Sequence, residues 1–88
     1  MAYVYIIKSL KNNRYYIGST NNFEKRFLQH QKGNVISTRS NRPYKVMLVQ
    51  EFVTITLAKQ IEYKLKKLKR KDYIDKIIKE QYIKLRIE

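Results

Sequence analysis

The chain has no cysteine and a single histidine. Without cysteine there is no disulfide, no thiolate zinc site and no cysteine nucleophile, and one histidine cannot build a multi-histidine metal centre. Acids are scarce as well. Seven Asp and Glu face twenty Lys and Arg, a formal net charge of +13. A two-metal hydrolytic centre needs several convergent carboxylates, and Glu24, Glu51, Glu62, Asp72, Asp75, Glu80 and Glu88 are spaced without an obvious cluster. Any hydrolytic metal is therefore expected to be a single ion. No apolar run approaches the ~18 residues of a membrane span, and the N-terminus lacks a signal-peptide pattern, so the expectation is a soluble, cytoplasmic protein.

What remains is 88 residues with an apolar fraction of 43%, enough for one compact core. One domain over 1–88 is expected, its core at about 3–80 and a basic helical segment at 69–88. Self-repulsion among so many cations weakens the compact state, and a polyanion relieves it. Nucleic acid is the favoured partner, through neutralisation of phosphate and release of counterions, with an anionic membrane surface as the weaker alternative. Lysine-rich codon usage explains part of the lysine count but not the shortage of acids. DNA is expected as the partner, and the sequence does not exclude RNA.

Tyr3 to Lys8 and Arg14 to Ser19 both alternate in β-rich runs, and the polar stretch Ser9-Leu10-Lys11-Asn12-Asn13 between them reads as a hairpin turn. An even number of unpaired loop residues puts Tyr5 and Tyr16 on one face. With a four-residue loop, Tyr5 lies opposite Gly18 and Tyr16 is its diagonal neighbour. Asn21, with Glu24 three residues on, predicts a helix start, and Gly33 predicts its end. Phe23, Phe27 and Leu28 are expected on the core side, with Arg26 and His30 sharing another face. A polar loop containing Arg39, Arg42 and Pro43 follows. Tyr44 to Val53 predicts a third strand, central or well covered. Thr54 or Thr56 caps a second helix whose stripe is Leu57, Ile61, Leu65 and Leu68, with Ala58 and Glu62 at its edge. A third helix starts near Asp72 with Ile74, Ile77, Ile78 and Tyr82 inward. The fold class is α/β of the α+β kind: a small three-stranded antiparallel sheet flanked by about three helices, in the order β-β-α-β-α-α.

The segments Tyr3-Val4-Tyr5-Ile6-Ile7, Tyr15-Tyr16-Ile17-Gly18-Ser19-Thr20, Phe23 to His30 and Ala58 to Glu62 occur in that order. Together they resemble the GIY-YIG nuclease superfamily, and most closely its small standalone members. Thr38-Arg39, Arg42-Pro43 and Lys66 also look like that subgroup. The resemblance implies metal-dependent hydrolysis of a phosphodiester. It implies that Tyr5 is the general base or aligns the attacking water, and that Tyr16 and Arg26 contact the scissile phosphate. His30 would position the water or the leaving group. Glu62 would be the one protein ligand of a single Mg²⁺ or Mn²⁺. Two departures stand out: Tyr3 and Val4 replace the glycine and isoleucine of the first triplet, and no asparagine follows Asn41.

The chemistry agrees on its own terms. Arg26 offers a planar, permanently charged donor for phosphate. Magnesium takes few carboxylates when phosphate supplies further oxygens. A phenol titrates near pH ~10, so a phenolate base working near neutrality needs roughly 4 kcal/mol of preferential stabilisation. Tyr5 as a neutral, water-orienting group is the alternative. Taken one at a time, the tyrosines read as packing, Arg26 as a solvated helix residue and Glu62 as a partner for Lys59 or Lys66. Arg39, Arg42, Lys66, Lys67 and Arg70 are the expected phosphate contacts; plain solvation of a helix is the alternative reading of the lysines. The activity expected is a DNA endonuclease, preferring structure (single-stranded, flap or branched DNA) over sequence. A non-catalytic nucleic-acid-binding protein of the same fold is the alternative.

Overall fold

The computed structural model describes residues 1–68 and 70–83. Three strands and three helices follow one another: β1 (Ala2–Ser9), β2 (Tyr15–Thr20), α1 (Phe23–Lys32), β3 (Tyr44–Phe52), α2 (Ile55–Leu68) and α3 (Lys71–Glu80), with a short 3₁₀ turn at Arg39–Asn41. The sheet is antiparallel, in the order β2-β1-β3. The α+β architecture and element order are those expected from the sequence. Residue 69 and residues 84–88 of the expected basic C-terminal segment lie outside the described residues.

The four-residue loop is present. Ser9 N donates to Arg14 O at 2.8 Å and Asn13 N to Ser9 O at 2.9 Å, with Asn13 at φ 63° closing the turn. The resulting register pairs Tyr5 with Gly18 and Ile7 with Tyr16. Strand alternation then divides the core. Ala2, Val4 and Ile6 join Leu48, Ala58, Ile61, Leu65, Ile74 and Ile77 beneath α2 and α3. Tyr5, Ile7 and Tyr44 form a smaller cluster on the other face, against Phe23 and Phe27 of α1.

Several local expectations are corrected. The N-cap of α1 is Asn22, whose side chain accepts from Lys25 N at 3.1 Å. Adjacent asparagines cap equally well, and Thr20 Oγ1 accepts from Asn22 N at 3.1 Å, holding the turn that selects the second. Glu24 is thereby not a capping-box partner; it sits in the first turn, where the helix dipole favours it. Leu28 is 52% exposed, because it lies one step round from the Phe23–Phe27 face. β3 is an edge strand and β1 is the central one. β1 is nearly all buried, whereas Lys45, Val46, Val49 and Glu51 of β3 are exposed. In α2 the buried stripe is Ala58, Ile61 and Leu65, with Leu68 exposed. Ala58 is central rather than peripheral, since its small side chain lets the helix lie close to the sheet. Thr54 is the cap, accepting from Leu57 N at 3.1 Å. Tyr82 is exposed because the chain leaves α3 at Gln81, in the left-handed region.

Candidate active site

Two hydroxyls and one imidazole form the buried heart of the site. Tyr5 Oη is 2.8 Å from His30 Nε2, and His30 Nδ1 is 2.8 Å from Thr38 Oγ1. Thr38 Oγ1 also reaches the Val35 carbonyl, which can only accept, at 3.4 Å. Assigned from this network, Thr38 donates to Val35 O, Nδ1–H donates to Thr38 and Nε2 accepts the Tyr5 hydroxyl. Tyr44 Oη donates to Thr38 O at 3.1 Å and fixes the loop that carries Thr38. Tyr5, His30 and Thr38 are all essentially inaccessible.

Burial dominates their ionisation. It pushes the Tyr5 phenol up to about 12, despite the opposing pull of the Arg26 guanidinium. It pushes the His30 imidazole down to about 4, helped by the charge of Arg26. Both members of the pair are neutral at physiological pH, with a cation beside them.

Tyr16 and Arg26 form the more open part. The Tyr16 ring centroid lies 6.4 Å from that of Tyr5 and 5.0 Å from that of His30, edge-on to the imidazole. Arg26 Nη1 donates to Gln29 Oε1 at 3.2 Å. Phe23 closes the side of Tyr5, with ring centroids 5.5 Å apart. The helical spacing of Arg26 and His30, one turn apart on α1, aims both at the tyrosines of β1 and β2.

Glu62 comes from the other layer. In the β2 alternation Tyr16, Gly18 and Thr20 face α1, while Tyr15, Ile17 and Ser19 face α2. Glu62 Oε1 accepts from Ser19 Oγ, and Oε2 pairs with Lys66 Nζ at 2.6 Å. Lys66 in turn carries its ammonium to 5.6 Å from the Tyr16 ring centroid. β2 is an edge strand, and Glu62 lies on its α2 side, linked to the Tyr16 ring through Lys66, with its charge acting on Tyr5. Of the two lysines at helical spacing, Lys66 pairs with Glu62.

The donor set suits a single divalent ion. No group of three or more His, Cys, Asp or Glu is gathered among the described residues. Glu62 is one partly buried carboxylate that already stabilises a cation at Oε2. A small hard ion takes one such carboxylate and fills its remaining positions with water and phosphate oxygens.

The expected phosphate contacts fall in two places. Lys66 is at the site, and Lys67 and Arg70 lie exposed beside it in sequence, Arg70 being tied to Asp72 at 2.8 and 3.3 Å. Arg39 and Arg42 belong to the loop before β3. Arg42 Nε donates to Arg39 O at 2.9 Å, with its guanidinium packed on Gly33. Ser19, Thr38 and Tyr44 join the site without an expected role. Ser19 follows the Tyr-Ile-Gly triplet directly, and Thr38 stands in the Thr38-Arg39 pair of the family resemblance, so each had a signal; Tyr44, at the start of β3, had none.

The chain is similar to known proteins along most of its length. The model of the GIY-YIG catalytic domain matches residues 1–77. A UPF0213 protein of Oceanobacillus iheyensis is 38% identical over 69 residues, covering 77% of this chain and 79% of the relative. One of Clostridium perfringens is 41% identical over 71 residues, covering 80% and 75%. The UPF0213 protein YazA of Bacillus subtilis is 37% identical over 70 residues, covering 78% and 70%. No solved structure matches. Matched by that family model over residues 1–77, the chain belongs to the GIY-YIG family.

Proposed function

We propose that this protein is a metal-dependent DNA endonuclease that hydrolyses phosphodiester bonds and prefers structure over sequence. The observation that supports the reading is that Tyr16 and the charge of Arg26 both lie against the buried Tyr5–His30 pair, while Glu62 is linked to the Tyr16 ring through Lys66. Phosphodiester hydrolysis needs stabilisation of charge on the phosphoryl oxygens and an oriented water. Arg26 and Tyr16 donate to the phosphate. Glu62 would hold one Mg²⁺ or Mn²⁺, which would supply positive charge to the phosphoryl oxygens.

Tyr5 acts as a neutral hydrogen-bonding group. With its pKa pushed up to about 12, forming the phenolate at pH ~7 costs about 7 kcal/mol. Protonating His30, whose pKa is about 4, costs about 4 kcal/mol at the same pH. The pair is therefore neutral before the reaction, the Tyr5 hydroxyl keeping its proton and donating it as a hydrogen bond to His30 Nε2.

The net charge of +13 supports a nucleic-acid substrate, and no helix among the described residues is long and apolar enough to cross a membrane. Arg39, Arg42, Lys66, Lys67 and Arg70 hold phosphates of the strand without reading bases.

The test is incubation with labelled single-stranded, duplex and branched DNA, and with RNA, in Mg²⁺, Mn²⁺ or EDTA, with Glu62→Ala in parallel. Metal-dependent DNA cleavage that is lost in Glu62→Ala is expected. Cleavage unchanged in the variant would remove Glu62 from its metal role. Binding without cleavage of any substrate would favour a non-catalytic nucleic-acid-binding protein.

A further inference from the structure

Beyond the tyrosine face lies a second feature, a groove of about 360 Å³ between the β1–β2 loop, β2, α2 and α3. Its floor is apolar, formed by Ile17, Leu65 and Ile74. Its rim is cationic, with Arg14, Lys66 and Lys71, and the Asn12 and Asn13 amides stand at one end. Tyr15 forms one wall. Nothing in the site described above uses this groove, yet Lys66 belongs to both: it lines the groove and pairs with Glu62.

We propose that this groove binds one unpaired nucleotide of the DNA strand being cut, its base stacked on Tyr15 and its phosphate held by Lys71 and Arg14. The proposal rests on the nuclease reading and deepens it, because it makes an unstacked base part of the substrate. Four observations support it. The Tyr15 ring is held rigidly, its hydroxyl donating to Asp75 Oδ1 at 2.5 Å while its body packs on the core beneath α2 and α3. A fixed aromatic face loses little conformational entropy when a base stacks on it. Lys8 and Lys71 each hold an ammonium over the Tyr15 ring, 5.9 Å from its centroid; a stacking base displaces these flexible lysine ends from the ring, and they stay beside it to meet the phosphate. Arg14 and Lys71 make no ion pair among the described residues, so their charge is available, unlike that of Arg70. The volume is near the lower end of small-molecule sites, about 300–1,000 Å³, which suits one nucleotide and not a duplex. Stacking between flanking cations is how proteins hold single strands without reading sequence.

The test measures binding in EDTA, where no cleavage intervenes, by fluorescence anisotropy of a short single-stranded DNA and of a hairpin duplex. Tyr15→Leu keeps an apolar side chain on the core and removes the stacking face. It should weaken single-strand binding about tenfold and duplex binding by less than about twofold. Tyr15→Phe keeps the face and should stay within about twofold of the parent on both. No change in Tyr15→Leu, or an equal loss on both DNAs, refutes the groove. So does wild-type binding to single-stranded RNA tighter than to the DNA of the same sequence, because the occupant is assigned as DNA. A second measurement needs no variant. Light-induced cross-linking of a 5-iodouracil oligonucleotide to the full chain should attach at Tyr15, and attachment only at other tyrosines rejects the assignment. The two readings fail separately. Tyr15-dependent binding without cleavage under any metal sinks the nuclease and leaves the groove; cleavage and binding indifferent to Tyr15→Leu sink the groove alone.

Discussion

Tyr5 lies directly across the β1–β2 ladder from Gly18, and its phenol occupies the space that a side chain on residue 18 would fill. A Cβ built there would lie 2.9 Å from Tyr5 Cε2 and closer still to Cζ and Oη. Tyr5 is 1% exposed, so its ring has no free volume to retreat into, and the hydroxyl would be driven off His30. Gly18→Ala is expected to destabilise the fold by about 1–3 kcal/mol through overpacking and to abolish cleavage at temperatures where the variant is still folded. Denaturant melts and the DNA cleavage assay read the two effects; wild-type cleavage by a folded Gly18→Ala would show that the Tyr5–His30 contact is dispensable.

Tyr5→Phe separates the two roles open to the phenol. The ring still packs against Phe23 and Tyr16, but His30 Nε2 loses its donor, at a cost to stability of about 1–3 kcal/mol. Cleavage should fall by at least about tenfold, and by the same factor at every pH between roughly 6 and 9, because a phenol with its pKa raised to about 12 keeps its proton throughout that range. A phenolate base predicts otherwise: its population rises tenfold per pH unit, so the ratio of parent to variant would climb with pH. Rates measured with both proteins across the range decide it.

The hairpin register was legible only conditionally: the polar stretch Ser9 to Asn13 marked the turn, a four-residue loop would put Tyr5 opposite Gly18, and the Ser9–Arg14 hydrogen bond supplies that loop. The Arg26–His30 pair was legible from helical spacing. The link from Glu62 to the tyrosine face was not, since it runs through Lys66 past an edge strand, and β2 had to be known as that edge. The expectation that β3 is central obscured this. Its apolar run suggested cover, but the polar and exposed Lys45 and Glu51 within it belong to an edge, and β1 was the run with apolar residues on both faces. Thr38 was marked only by resemblance, because nothing periodic in the loop points its hydroxyl at His30. The choice between Asn21 and Asn22 turned on a single hydrogen bond from Asn22 N to Thr20 Oγ1.

His30 makes the fold sensitive to mild acid. Its pKa is about 4 in the folded protein against an ordinary 6.5, so between those values the unfolded chain binds the extra proton and the folded chain does not. Stability therefore rises with pH across this window. The contribution is fully present above about pH 6.5 and is lost as pH falls toward about 4, amounting to at most about 3 kcal/mol. Asp72, whose carboxyl is held below its usual range by Arg70, acts only at lower pH. Urea melts at pH ~7 and ~4.5 should show the loss in the parent and a flatter dependence in His30→Gln, which has no imidazole to protonate. An equal slope in both proteins would place the acid sensitivity elsewhere.

Lys66 occupies the carboxylate oxygen at which a metal ion would compete, 2.6 Å from Glu62 Oε2. The lysine is about half exposed (49%), and exposed pairs of this kind are worth less than about 1 kcal/mol, so the competition is modest. Lys66→Gln should strengthen Mn²⁺ binding to the DNA-free protein by roughly two- to fivefold, read by calorimetry without any cleavage. The same variant removes a cation from the phosphate path. Its affinity for DNA in EDTA should fall, and the slope of log affinity against log salt should become shallower by about one. The two effects have opposite signs and separate what Lys66 does at Glu62 from what it does for the strand. Weaker Mn²⁺ binding in Lys66→Gln would mean that the ammonium orients the carboxylate for the metal instead of competing with it.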